Sequence, residues 1–185
     1  MANGLTYVRK TTSVEGTKQL ASTLAAYLHP GDVVVLTGDL GAGKTHFVQG
    51  VAEGLGITSP VTSPTFNILL EYREGKLPLY HFDLYRLNSA DELEDTGYYE
   101  TVESDGVAFI EWGEKFPEAL PYGYLEICVL TTPEGDRRIL MHALGSRARQ
   151  LLTVWASDPA ARLSKTTFSP RDFAACAPEV REGTK

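Results

Sequence analysis

A chain of 185 residues, 43% of them hydrophobic, is long enough for one domain with a substantial core. Its net charge of −7 argues against a free-standing nucleic-acid binder, which would carry a basic surface. No apolar stretch is long enough to cross a membrane or to form the core of a signal peptide, and Cys128 and Cys176 form no Cys-x-x-Cys pair. We therefore expect a cytoplasmic protein with reduced thiols.

The first elements alternate between strand and helix. Residues 5–12 predict an edge strand, and apolar residues at helical spacing predict a helix that begins after Ser13. The run "VVVL" at 33–36 is typical of a strand that is buried on both faces, as in parallel sheets. A second helix is predicted from Lys44 to Leu55 and ends at Gly56.

The later elements mix strands with short helices. Two strands are predicted around the turn "REGK" within residues 67–87. Ser89 and Glu92 have the spacing of a capping box, which begins a helix that stops at Gly97. The sequence then predicts a buried strand, a hairpin and a last helix, at 106–112, 124–144 and 146–155.

The segment "GDLGAGKT" at 38–45 carries the strongest chemical signal. Gly38, four further residues and then Gly43-Lys44-Thr45 follow a predicted strand and begin a predicted helix, which is the context that a P-loop requires. Its glycines allow backbone N–H groups to surround an anion, Lys44 can reach the outer phosphates, and Thr45 can bind Mg²⁺. The sequence therefore predicts a nucleoside triphosphate site.

The nucleotide and the fold class follow from this motif. The Asn-Lys-x-Asp motif that specifies guanine is missing, which favours ATP, and the sequence has no evident arginine-rich lid of a small-molecule kinase. We expect an α/β fold: a P-loop NTPase-type three-layer sandwich with a mostly parallel sheet, extended by antiparallel strands and hairpins. The domain is predicted to cover residues 1–156, and a flexible C-terminal extension to cover 157–185.

Two later segments contain candidate site residues. The loop "TSPVTSPTF" at 58–66 is either a plain surface loop or a switch whose Ser63 or Thr65 approaches the γ-phosphate. Asp83 lies within an apolar strand pattern, where a buried carboxylate requires a partner or a metal. An ion pair with Arg86 is the alternative explanation for Asp83.

Glu111 ends the predicted strand within "VAFIEWG" in the same way. Ligands of open α/β sheets gather beyond the carboxyl ends of the strands, so Glu111 can bind Mg²⁺ directly or through water. A solvated strand end is the alternative for Glu111, and Trp112 is expected to serve packing. His81 is better explained by a structural hydrogen bond than by metal binding.

In this order, "GDLGAGKT", "SPTF", "HFDLYRL", "ELEDTG" and "IEWG" resemble the bacterial TsaE (YjeE) ATPases, over residues 6–145. The resemblance implies the ATPase component of the machinery that makes threonylcarbamoyladenosine at position 37 of tRNA. It also implies that the transferase site belongs to a TsaD–TsaB pair and that ATP hydrolysis resets this complex between turnovers. On the same basis, the chain meets tRNA only indirectly, through the complex.

The resemblance assigns roles to individual positions. Phosphate binding falls to five consecutive residues, Gly41, Ala42, Gly43, Lys44 and Thr45, and magnesium binding to Thr45 and Glu111. The family's catalytic positions are matched by Lys44, by the switch threonine Thr65 and by Asp83 in the motif H-x-D-x-Y-R. Thr12 is the best match for a threonine near adenine. Arg138, with Arg137 close behind, is the best match for an arginine that meets the nucleotide.

The sequence thus predicts an Mg²⁺-dependent ATPase with ATP and Mg²⁺ as its cofactors. Two alternatives stay open: a P-loop phosphotransferase that acts on a small metabolite, and a nucleotide-gated binding module with negligible hydrolysis. A kinase would consume ATP in proportion to an added acceptor. An ATPase component would respond to partner proteins instead, and a binding module would bind nucleotide without turnover.

Overall fold

The structure is a computed structural model that describes residues 5–167 and residue 176. Its strands are β1 (Thr6–Thr11), β2 (Val33–Thr37), β3 (Leu69–Tyr72), β4 (Leu79–Asp83), β5 (Val107–Glu111), β6 (Tyr124–Thr131), β7 (Arg137–Leu144) and β8 (Ser164–Lys165). Its α-helices are α1 (Val14–Leu24), α2 (Lys44–Leu55), α3 (Tyr98–Val102) and α4 (Ser146–Ala156). Short 3₁₀ turns cover Ala25–Tyr27, Ala90–Thr96, Gly113–Lys115 and Pro117–Ala119. None of the helices in this part of the chain is long and apolar enough to cross a membrane.

All eight strands form one mixed sheet, in the order β3-β4-β5-β2-β6-β7-β1-β8. The central strands β4, β5, β2 and β6 run parallel, and antiparallel strands flank them on both sides. The expected α/β fold is therefore present, but the sheet is not mostly parallel, because three of its seven strand pairings are parallel and four antiparallel. The physical reason is the short connections β3–β4 and β6–β7, since a short connection allows only antiparallel pairing.

Helices cover both faces of the sheet. The larger core joins α1, α2 and α4 to the first face, and its largest side chains include Phe47 and Trp155. The second core joins the strands to the short helical segments through Leu93, Tyr98 and Phe116. All five residues of β2 are buried, as the sequence predicts, because this strand lies at the centre of the sheet between the two cores.

The predicted helix boundaries agree closely with the structure. The Ser13 side chain caps α1 by accepting a hydrogen bond from the N–H of Gly16, at 3.0 Å. The helix α2 ends at Gly56, which adopts the left-handed conformation typical of a C-cap. The capping box at Ser89 is also present, although it begins a 3₁₀ turn rather than an α-helix.

The described part of the predicted C-terminal extension lies against the domain. Ala161 is buried in the larger core, and β8 pairs with β1. Described residues after 156 therefore contact the domain, and the domain boundary predicted at residue 156 stays a prediction. The flexibility predicted for 157–185 stays a prediction for 168–175 and 177–185, which lie outside the described residues.

The prediction of reduced thiols is wrong for this structure. Cys128 of β6 and Cys176 form a disulfide, with their Cα atoms 5.8 Å apart and a separation of 48 positions in sequence. Both pack with Leu140 on the second face of the sheet. The wide separation in sequence misled the prediction, because a disulfide depends on the approach of two Cα atoms in space.

Candidate active site

The glycine-rich loop connects β2 to α2 at the carboxyl ends of the central parallel strands. Gly38 and Gly43 adopt φ values of 128° and 112°, which residues other than glycine rarely adopt. A Cβ on Gly38 would lie 2.3 Å from the carbonyl oxygen of Val129 in β6, so a side chain has no room there. With a helix N-terminus at its end, this loop has the geometry of an anion-binding cradle.

Lys44, the first residue of α2, fills the inside of this loop. It is 4% exposed, and its Nζ donates hydrogen bonds to the carbonyl oxygens of Gly38 and Asp39 at 2.7 and 2.9 Å. Burial lowers the pKa of Lys44. Four nearby carboxylates oppose this shift: Glu111, Glu114, Asp83 and Asp39. Because the hydrogen-bond acceptors of this buried cation are neutral carbonyl oxygens, a phosphate could replace them with a charged acceptor and gain free energy.

Thr45 and Glu111 meet beside the loop. The Thr45 hydroxyl donates to Oε1 of Glu111 at 2.8 Å, and Nε2 of His81 lies 2.8 Å from the same oxygen. His81 is fully buried, and its contact with Glu111 is the structural hydrogen bond that the sequence predicts. Glu111 is also buried, so the alternative of a solvated strand end does not hold.

This pair of oxygen ligands fits Mg²⁺. The described residues contain no group of three or more His, Cys, Asp or Glu side chains that could hold a metal ion by themselves. Mg²⁺ is commonly bound by one or two protein oxygens, with water and substrate phosphates completing its shell. Thr45 and Glu111 are the hydroxyl and the carboxylate that could contribute to such a shell, next to the glycine-rich loop.

Asp83 holds the loop at 58–66 against the site. It lies opposite Glu111 in the parallel register of β4 and β5 and is 3% exposed. Its Oδ2 accepts hydrogen bonds from the hydroxyls of Thr65 at 2.5 Å and Ser63 at 3.4 Å, and its Oδ1 accepts one from the N–H of Tyr85 at 3.0 Å. Thr65, which was predicted to be a switch residue, and Asp83 are therefore direct hydrogen-bond partners.

The sequence left an ion pair between Asp83 and Arg86 as an alternative explanation for the buried carboxylate, but Arg86 lies elsewhere in the structure. The Arg86 guanidinium lies over the ring of Phe66, 4.1 Å from its centroid. The carboxylate of Asp83 instead receives its hydrogen bonds from two hydroxyls and one backbone N–H. An Asp83–Arg86 ion pair is thus not needed to explain the buried carboxylate.

Trp112 does more than pack in the core. It follows Glu111 with φ of 62°, a left-handed conformation that is uncommon for a bulky residue. Its ring lies 4.3 Å below Nζ of Lys44 and 4.9 Å from the ring of Tyr85. The unusual backbone turn therefore places an aromatic face against the lysine of the glycine-rich loop.

Glu114 is a residue that the sequence analysis did not single out. Neither of its carboxylate oxygens has a hydrogen-bond partner among the described residues, and both are shielded from solvent. Burial raises the pKa of Glu114 to about 7, and the nearby charge of Lys44 opposes this shift. Its spacing, three residues after Glu111, is a signal only once the turn at Trp112 is known.

The structure brings Arg137, rather than Arg138, to the glycine-rich loop. Nε of Arg137 donates to the carbonyl oxygen of Ala42 at 2.6 Å. The two arginines point to opposite faces, because Ile139 and Met141 alternate with Leu140 between the two sides of β7. This alternation was the signal in the sequence that could have distinguished them.

A cavity of about 220 Å³ lies between Arg137 and the start of α1. Ala42, Gly43 and His46 line it from the loop and α2, and Ser13, Val14 and Thr17 line it from the N-terminal segment. Thr12, the predicted adenine contact, lines a different cavity together with Arg9 and Gln19. The structure thus places Thr12 and Arg138 away from the loop, and Ser13, Thr17, His46 and Arg137 beside it.

A mixed α/β protein with a glycine-rich loop between a buried strand and a helix is the class that this fold and site define. The family model described as "Threonylcarbamoyl adenosine biosynthesis protein TsaE" matches residues 11–139. The chain belongs to the TsaE family, which takes part in the biosynthesis of threonylcarbamoyladenosine in tRNA.

Curated relatives and a solved structure agree with this family. The tRNA threonylcarbamoyladenosine biosynthesis protein TsaE of Bacillus subtilis strain 168 is 47% identical over 142 residues, which cover 77% of this chain and 89% of the relative. The TsaE protein of Nostoc sp. PCC 7120 is 44% identical over 127 residues, 67% of this chain and 78% of the relative. The crystal structure of Bacillus subtilis YdiB is similar with a TM-score of 0.72 and 39% identity, and the match covers 83% of this chain and 95% of YdiB.

Proposed function

We propose that this protein is a P-loop ATPase that depends on Mg²⁺ and supports the modification of tRNA at position 37. The main support for the proposal is that three features lie together at the carboxyl ends of the central strands. These are the glycine-rich loop with Lys44, the Thr45–Glu111 pair, and the Thr65–Asp83 pair. Phosphate binding, metal binding and a γ-phosphate sensor are the parts that ATP hydrolysis on a P-loop requires.

Each residue has a role that follows from its contacts. The backbone of Gly41, Ala42 and Gly43 and the Nζ of Lys44 would hold the phosphates, and Thr45 and Glu111 would hold Mg²⁺. Bound Mg²⁺ would neutralise the charge that develops on the phosphate oxygens. Thr65 would move its hydroxyl from Asp83 toward the γ-phosphate, which would leave Asp83 able to accept a hydrogen bond from water.

The nucleoside would occupy the cavity beside Arg137. This arginine is fixed to the glycine-rich loop through Ala42, and the cavity between it and α1 opens next to Gly43. On these grounds we assign the late arginine of the nucleotide site to Arg137 rather than Arg138. We assign the N-terminal contact to Ser13 or Thr17 rather than Thr12.

A TsaD–TsaB pair is the proposed partner, and the complex rather than this chain alone would hold the tRNA in the cytoplasm. Two apolar side chains near the candidate site are strongly exposed: Leu40, 78% exposed in the glycine-rich loop, and Phe66, 82% exposed beside Thr65. Exposed apolar and aromatic residues of this kind are typical of protein interfaces. The partner would supply groups that the site lacks, which in other P-loop systems accelerate phosphoryl transfer by roughly 10³–10⁵.

The direct test is the variant Lys44→Met with the matched control Lys76→Met, which alters an exposed lysine of the β3–β4 turn. We expect Lys44→Met to abolish Mg²⁺-ATP binding and phosphate release, and Lys76→Met to retain both. Full turnover in Lys44→Met would reject the site. Binding without turnover in the wild type, with or without TsaD–TsaB, would favour a binding module, and ATP use in proportion to a small acceptor would favour a phosphotransferase.

A further inference from the structure

Lys115 makes contacts that the proposed function does not use. It ends the short 3₁₀ turn that follows β5. The strands β4 and β5 end in Asp83 and Glu111, so a side chain that links the segments after them joins the two acidic strand ends of the candidate site. The Nζ of Lys115 does this, because it donates hydrogen bonds to three carbonyl oxygens of the segment after β4: those of Leu84 at 3.4 Å, Tyr85 at 2.5 Å and Leu87 at 2.7 Å.

An ammonium group suits this position because it carries three donors on one nitrogen. The segment at 84–87 is a turn, closed by a hydrogen bond from the N–H of Leu87 to the carbonyl oxygen of Leu84 at 3.1 Å. Carbonyl oxygens that converge on one point repel one another, and a cation between them turns this repulsion into attraction. Lys115 therefore stabilises the turn. Burial lowers the pKa of Lys115, and nearby carboxylates oppose this shift: those of Asp83, Glu114 and Glu92.

One peptide group connects Lys115 to Asp83. Its carbonyl oxygen, from Leu84, accepts a hydrogen bond from Lys115, and its N–H, from Tyr85, donates to Oδ1 of Asp83 at 3.0 Å. Because a trans peptide group is planar and its C=O and N–H point in opposite directions, fixing one end also fixes the other. A cation at the carbonyl oxygen polarises the group as well, which strengthens the N–H as a donor. The ammonium group of Lys115 is thus one peptide group away from the Asp83 carboxylate.

The same turn supports the aromatic contact of Lys44. The rings of Tyr85 and Trp112 pack with their centroids 4.9 Å apart, and the centroid of the Trp112 ring is 4.3 Å from Nζ of Lys44. The N–H of Lys115 donates to the carbonyl oxygen of Trp112 at 3.2 Å. Lys115 is therefore bonded to both members of this aromatic pair, to Trp112 through its backbone and to Tyr85 through its side chain.

We propose that Lys115 is a positioning residue for ATP hydrolysis, and that it acts through the turn at 84–87 on the carboxylate of Asp83. This inference rests on the proposed function, because it needs Asp83 to orient water. With the ammonium group in place, the N–H of Tyr85 holds Oδ1 of Asp83, and Oδ2 is left for the hydroxyl of Thr65 or for water once Thr65 turns away. Without the ammonium group the turn opens, the carboxylate rotates and water loses its alignment.

The first measurement compares Lys115→Met with the matched control Lys76→Met, which removes the charge of an exposed lysine. We expect Lys115→Met to lower the single-turnover rate of ATP hydrolysis by about tenfold to a hundredfold, which is the cost of a small misplacement at a reacting group. The Kd for Mg²⁺-ATP should stay within about threefold of the wild type, since Lys115 bonds to none of Lys44, Thr45 and Glu111. Lys76→Met should change neither quantity. A lysine that served only stability would not lower the rate at constant affinity.

A double variant tests whether Lys115 acts through Asp83. The substitution Asp83→Asn keeps an acceptor for the N–H of Tyr85 but removes the charge. If Lys115 works by orienting the Asp83 carboxylate, adding Lys115→Met to Asp83→Asn should lower the residual rate by less than about twofold. Independent effects would multiply instead, and a full multiplication would overturn the proposed route.

Chemical rescue separates the ammonium group from the fold. In Lys115→Cys, alkylation of the new thiol with bromoethylamine forms a thioether, with loss of a proton and bromide, and returns an ammonium group at almost the original distance from the backbone. The reaction is selective because both native cysteines are held in the Cys128–Cys176 disulfide. We expect the alkylated protein to regain most of the rate that unmodified Lys115→Cys loses. No recovery, or a wild-type rate in Lys115→Met, would overturn the proposal alone. A wild type without ATP hydrolysis would instead reject the proposed function, and this inference with it.

Discussion

If Asp83 acts as proposed, its substitution should separate nucleotide binding from ATP hydrolysis. Asp83→Ala removes the acceptor of three hydrogen bonds, from Thr65, Ser63 and the N–H of Tyr85. The loop at 58–66 would lose these hydrogen bonds to β4, and the carboxylate that we propose orients water would be absent from the transition state. A lost general base or water-positioning group typically lowers kcat by about 10²–10⁴, so we expect at least a hundredfold fall.

Nucleotide affinity should change little in the same variant. Lys44, Thr45 and Glu111 keep their contacts when Asp83 is removed, and the loss of one buried negative charge beside Glu111 favours an anionic ligand. We therefore expect the Kd for Mg²⁺-ATP to stay within about threefold of the wild type. Leaving the Tyr85 N–H without its partner costs about 1–3 kcal/mol of folding free energy, which the relief of charge repulsion partly offsets.

Phosphate release under single-turnover conditions gives the rate, and calorimetric titration with Mg²⁺-ATP gives the nucleotide affinity. The isosteric variant Asp83→Asn is the control, because its side-chain oxygen can still accept the N–H of Tyr85 while the negative charge is gone. We expect Asn at this position to restore stability but not hydrolysis. If Asp83→Ala loses binding and turnover in equal measure, Asp83 is a principal ligand and the assigned role is wrong.

Three further predictions follow from single contacts. Thr65→Ala should reduce the stimulation of ATP hydrolysis by TsaD–TsaB more than it reduces ATP binding. Phosphate release with and without the pair measures the stimulation, and nucleotide titration measures the binding. Full stimulation of the variant would reject the switch role. Burial raises the pKa of Glu114 from 4.5 to about 7 in the folded protein. The folded state therefore binds more protons than the unfolded chain between these values, and the free energy of unfolding should fall as pH rises from about 4.5 to about 7, by roughly 3 kcal/mol at most. Urea titrations of Glu114→Gln should lack this slope, and an unchanged slope would place the titration elsewhere. Cys176→Ser should lower stability by up to roughly 4 kcal/mol, the chain-entropy value for a loop of 48 residues. Two reactive thiols in the native wild-type protein would contradict the disulfide.

Local signals in the sequence were sufficient for the elements that form the site. The apolar run of β2, the glycines of the loop and the helix that begins at Lys44 are encoded within 24 consecutive residues, from Val33 to Gly56, and the structure has them as predicted. The positions of Asp83 and Glu111 were also visible, because a carboxylate at the end of an apolar strand breaks the local pattern. Their direct partners, Thr65 and Thr45, could be named but not paired.

The sequence did not decide which arginine of β7 faces the glycine-rich loop. Arg137 and Arg138 are neighbours of the same type, and only the packing of Ile139 and Met141 on one face and Leu140 on the other decides which arginine reaches the glycine-rich loop. A shift of one residue in register would exchange their roles, because side chains alternate along a strand.

The amino-acid sequence by itself determined the family, the glycine-rich loop and the acidic strand ends, because each depends on residues that are adjacent or regularly spaced in the chain. The tertiary structure alone decided the buried environment of Lys44 and Glu114, the Cys128–Cys176 disulfide and the approach of Thr65 to Asp83. These features join residues that are far apart in sequence, such as Cys128 and Cys176. Their approach is set by strand order, and strand order follows from the packing of the whole sheet rather than from any one segment.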